Sequence, residues 1–100
     1  MAKLTIVYWR DIPAQVIVKA GRQSAKRQLD ERFEKAIDRA AMRADLKDTD
    51  SYLSEWRRGE PVDCGDDLEA EADAAARRLE EDFTPDRLRD LVSADGRDKA

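Results

Sequence analysis

The chain has 100 residues, 42% of them charged and 41% hydrophobic, with a net charge of −4 at pH 7. That length allows one domain with a thin core, and the acid excess argues against general affinity for nucleic acid or an acidic membrane. There is no histidine, which removes the commonest general base near neutral pH and excludes Ser-His-Asp and Cys-His catalytic systems.

Lys3 to Trp9 alternates as a strand, with Leu4, Ile6 and Tyr8 on one face and Thr5, Val7 and Trp9 on the other. A bend carrying Trp9, Arg10, Asp11 and Pro13 leads into a second strand, Gln15 to Lys19. Pro13 cannot donate a ladder hydrogen bond, so it belongs to the connection or to a strand's start. Both faces of these strands are apolar, which suggests a central position or a sheet covered on both sides. Gly21 breaks the pattern, and from about Ser24 the period turns helical, with Leu29, Phe33, Ala36, Ile37, Ala40 and Ala41 on one stripe.

Lys47 to Ser51 reads as a loop. Tyr52 to Arg58 alternates as a third strand; a short helix is the rival, because Leu53 and Trp56 stand three apart. Gly59, Pro61 and Gly65 punctuate a turn-rich segment around Cys64. Asp66 and Asp67 then open a helix whose stripe is Leu68, Ala72, Ala75, Ala76, Leu79 and Phe83. Thr84-Pro85-Asp86 reads as the N-cap and first turn of a last helix with Leu88, Leu91 and Val92 on its apolar face. The expectation is a single two-layer α+β domain over residues 1–94, a small sheet packed with helices in the order ββαβαα, followed by a flexible tail at 95–100.

Cys64 is the only cysteine, so an intrachain disulfide and a thiolate zinc site are excluded, and a reducing cytoplasm is the natural setting. The acids around Cys64 disfavour its thiolate, which argues against a nucleophile and for a small, partly buried residue. No apolar run is long enough for a membrane helix, and the start Met-Ala-Lys lacks a secretory pattern. Neither a P-loop nor a G-x-G-x-x-G sequence is present. Asp45, Asp48 and Asp50 do not have EF-hand spacing and read as solvated loop acids. No metal or cofactor is expected. The acidic run from Glu60 to Asp73 reads as a solvated helix entrance, or as a docking patch for a basic partner.

Basic residues dominate up to Leu29 and acidic ones thereafter. Each tryptophan precedes arginine: Trp9-Arg10 and Trp56-Arg57-Arg58. Tryptophan in the core with arginine in solvent is the plain reading. The functional one is a binding surface of Trp9, Arg10, Asp11, Pro13, Arg22, Trp56, Arg57 and Arg58.

The block Tyr8-Trp9-Arg10-Asp11-Ile12-Pro13-Ala14-Gln15-Val16 carries a resemblance. With it go Leu29, Arg32-Phe33, Ala36-Ile37-Asp38, Ala40-Ala41-Met42 and Tyr52-Leu53 with Trp56. Over residues 3–62 the chain resembles a family of small bacterial proteins described as "virulence factor", related to a domain of conserved virulence factor C. The label comes from phenotype and implies neither toxin nor secretion. The resemblance implies an accessory role beside tetrahydrofolate- and corrinoid-dependent methyl transfer, and brings no catalytic residues with it. The leading expectation is a non-enzymatic cytoplasmic module that binds another protein. The alternatives are nucleic-acid binding through the basic N-terminal part, and an enzyme or accessory factor for an anionic one-carbon ligand.

Overall fold

The β-branched residues between Leu4 and Val18 build a hairpin at the centre of the structure, a computed structural model that describes residues 2–45 and 49–97. Strands β1 (Ala2–Trp9) and β2 (Ile12–Ala20) pair antiparallel from Lys3 opposite Lys19 to Trp9 opposite Ile12. The register slips between Val7 and Tyr8, which leaves Ala14 without a partner across this ladder. The slip falls beside Pro13, whose nitrogen cannot enter a ladder; Pro13 lies at the start of β2, as expected, and is buried.

A turn through Gly21, at φ +61, brings in β3 (Gln23–Gln28) along the outer side of β2. On the other side of β1, β4 (Trp56–Arg58) pairs with Val7–Trp9 and β5 (Val62–Cys64) pairs with Ala2–Leu4. The sheet therefore runs β3-β2-β1-β4, with β5 also on β1. Helix α1 (Glu31–Arg43) packs against β2, and α2 (Thr49–Ser54) lies beside β4. Helix α3 (Leu68–Asp82) crosses β1, β2 and β3, and α4 (Pro85–Ser93) rests on α1. The fold is α+β, as expected.

Strand alternation sorts the sheet into two faces. One carries Leu4, Ile6, Val16, Val18 and Ala25, which join Ala72, Ala75 and Ala76 of α3 in the core. The small α3 side chains let the helix backbone approach the sheet closely. Phe33, Ala36, Ile37, Ala40 and Ala41 of α1 and Leu88 and Leu91 of α4 complete it. The helix starts follow the sequence: Asp67 accepts a hydrogen bond from Ala70 N, and Thr84 from Arg87 N with Pro85 in the first turn.

Three expectations are corrected. Ser24 to Gln28 is strand, not helix: its polar sequence has little preference of its own, and pairing with β2 decides it. Tyr52–Arg58 is not one strand; the α2 helix includes Thr49 to Ser54 and only Trp56–Arg58 is extended. Val62–Cys64, expected as turn, is β5. The order is thus βββααββαα rather than ββαβαα. Of the 47–51 loop, Thr49 to Ser51 is helical and the remainder lies outside the described residues. Among the described residues no helix is long and apolar enough to cross a membrane.

Candidate functional site

The β1–β2 turn holds most of the residues that the sequence nominates. Arg10 turns the chain at φ +53, in the left-handed region, and its own backbone N–H donates to Glu55 O at 3.0 Å. Its guanidinium donates to Asp95 O at 2.7 Å and to Glu55 Oε1 at 3.2 Å, and lies 5.2 Å from the centre of the Trp9 ring. Only 10% of this side chain is exposed. Asp11 N donates to Gly96 O at 2.8 Å. Trp9 is wholly buried and donates from Nε1 to Tyr52 O at 3.1 Å. Residues 95–97, expected at the start of a tail, therefore close over the hairpin tip; 98–100 lie outside the described residues.

Arg57 completes the arrangement from β4. It donates to Arg10 O at 3.0 Å and to Asp11 Oδ1 at 3.2 Å, and its guanidinium covers the Tyr8 ring at 4.5 Å. Two of the four nominated guanidinium groups, those of Arg10 and Arg57, are thus already bound to protein oxygens. Trp9, Arg10, Asp11, Pro13 and Arg57 come together as an internal lock. The expectation of a surface position is corrected for Trp9 and Pro13, which are buried, and for Arg10, nearly so, whereas Asp11 and Arg57 keep partly exposed side chains.

The remaining nominees disperse. Trp56 lies opposite Trp9 but lines a pocket with Tyr52 and Ile37. Arg22 is exposed in the β2–β3 turn, at the other end of β2 from Arg10. Arg58 follows Arg57 in β4, so the two point to opposite faces, and Arg58 is exposed opposite Val7.

Arg58 belongs to a surface that sequence reasoning missed. The second face of the sheet carries Lys3, Lys19 and Ser24 in one row across the strands. Thr5, Ile17 and Lys26 form the next row, and Arg58, Val7, Gln15 and Gln28 a third. Ile17 is buried among these neighbours yet stands outside the helix-covered core. Lys3, Thr5, Ile17, Lys19, Arg58 and Pro61 line a shallow depression of about 320 Å³. Lys3 forms an ion pair with Asp63, whereas among the described residues Lys19, Arg22, Lys26 and Arg58 have no carboxylate partner. The signal was present as the alternation Lys3-x-Thr5-x-Val7 and Ile17-x-Lys19. A helical reading from Ser24 onward hides Lys26, which β3 places opposite Ile17.

Burial, and then Glu71, Asp63 and Asp66, push the Cys64 thiol up, away from thiolate character. Among the described residues no three His, Cys, Asp or Glu side chains are grouped to hold a metal ion. Asp50 lies in α2, and Asp48 is outside the described residues.

Comparison with curated proteins and with solved structures returned no match. The family described as "Virulence factor" matches residues 7–92, from the middle of β1 into α4. The match takes in the hairpin lock and extends through the acidic helix beyond residue 62. The chain belongs to the Virulence factor family.

Proposed function

We propose that this chain is a non-catalytic binding module that holds an acidic polypeptide partner on the open face of its sheet. The supporting observation is the set of unpartnered cations, Lys19, Lys26 and Arg58 with Arg22 at the hairpin end, around a small apolar centre at Ile17. Elsewhere Arg10, Arg27, Arg32 and Arg57 are held by carboxylates. A fixed array of cations on a rigid sheet steers and orients an anionic partner, while the apolar centre gives it a contact that salt does not screen. A single-stranded nucleic acid would want exposed aromatic rings on the same face. Here Tyr8 lies beneath Arg57, Trp9 is buried and Trp56 lines a separate pocket with Ile37, so a polypeptide is favoured.

The test is a titration of isotope-labelled protein with poly-L-glutamate and, separately, with oligouridylate, at about 0.15 M salt, where long-range attraction is largely screened. Amide shifts at Thr5, Ile17, Lys19 and Lys26 with poly-L-glutamate are expected. They should vanish in Lys19→Glu/Lys26→Glu while the melting temperature holds. Stronger shifts at the same amides with oligouridylate would transfer the face to nucleic acid. No shift with either polymer would remove the proposal.

A further inference from the structure

A different part of the molecule carries an independent site. Between α1, α2 and β4 lies a cavity of about 180 Å³ walled by Tyr52, Trp56, Glu34 and Asp38, with Leu29 and Ile37 at its base. The two rings stand edge to face, 6.2 Å apart at 80°, so they form two walls meeting nearly at a right angle. Tyr52 is fixed from behind by Trp9, 5.9 Å away at 30°. Ring faces attract cations, and two such walls with carboxylates at the mouth are the arrangement that suits a weakly hydrated organic cation.

We infer that this pocket binds a methylated ammonium group. Three observations converge on that class. The cavity falls below the roughly 300 Å³ at which pockets begin to hold whole drug-sized ligands, so it suits a head group. Glu34 and Asp38 stand one helical turn apart as like charges, an unfavourable pairing on a helix surface, and among the described residues neither has a cationic partner. Lys35, their neighbour on α1, is instead engaged by Glu31. The carboxylates' field reaches into the pocket: burial first, then Asp38 and Glu34, raise the Tyr52 phenol above its ordinary range, against a hydrogen bond from Trp56. A cation at the mouth relieves the Glu34–Asp38 repulsion, and its methyl groups cover the rings.

The experiment follows the indole N–H signals of Trp56 and Trp9 by NMR while tetramethylammonium, choline, glycine betaine or ammonium chloride is added. A trimethyllysine tripeptide is the final probe. Tetramethylammonium and choline should move Trp56 more than Trp9, and glycine betaine should bind about fivefold or more weakly because its carboxylate meets Glu34 and Asp38. Glu34→Gln/Asp38→Asn, at exposed helix positions that tolerate the change, should weaken choline by about fivefold or more without lowering the melting temperature. Tighter binding of the tripeptide than of choline would assign the group to a protein side chain, and the reverse to a free small molecule. Either result supports the site. An unmoved Trp56, an equal response to ammonium, or choline binding indifferent to the double neutralisation would overturn it.

Discussion

Arg10 occupies the left-handed region that costs a side-chain-bearing residue of order 1 kcal/mol, and it stays there because its side chain and backbone are both bound. Hydrogen bonds to or from a charged group in a nearly closed site contribute about 1.5–3 kcal/mol. Arg10→Ala should therefore lower the unfolding free energy by about 2 kcal/mol or more in urea denaturation. Arg57→Ala, whose side chain is half exposed, should cost under about 1 kcal/mol. Equal losses from the two would show that the tip is not held through Arg10. Gly96 tests the same lock from the other side. It stands at φ +86, and a Cβ there would come within 2.8 Å of the Trp9 ring. Gly96→Ala should be the more damaging alanine replacement when compared with Gly21→Ala, which meets open space. Thermal melts of the pair decide it.

At the scale of elements, β5 is three residues long and depends on what pins it to β1. Lys3 and Asp63 face each other across that pairing, and Lys3 holds the Asp63 carboxyl below its ordinary value by hydrogen bond and charge. A carboxyl so depressed stabilises the fold at pH above its unfolded value, and the contribution is lost as pH falls through the folded value. NMR titration should find Asp63 ionising below the usual aspartate range and returning to it in Lys3→Ala. An unchanged Asp63 would mean the pair does not persist in solution. Elements with their own local signal were legible: the β1–β2 alternation, the Thr84-Pro85 start of α4, the alanine stripe of α3. β3 and β5 were not, because Gln23–Gln28 and Val62–Cys64 become strands only when β2 and β1 offer them an edge. Tyr52–Arg58 misled because one segment holds both a helical turn and a strand, and each supplied half the pattern.

At the scale of the whole molecule, the two tryptophan-arginine pairs lie side by side, with Trp9 opposite Trp56 across β1 and β4. Trp9-Arg10 sits where distant parts of the chain meet, a property of tertiary structure that no local window contains. The open cationic face was partly visible as alternation in β1 and β2, but it needed β3 in place before Lys26 joined it. The aromatic-carboxylate pocket was not visible at all, since Glu34, Asp38, Tyr52 and Trp56 come from three elements. The lock also has a temporal side. Its hairpin is synthesised well before Asp95 and Gly96, which close over it. During synthesis Tyr52 and Glu55 reach Trp9 and Arg10 first, and the cover from Asp95 and Gly96 arrives only some 85 residues after Arg10. A chain interrupted or clipped before Asp95 is thus distinguished by a Trp9 ring that lacks the cover of Gly96.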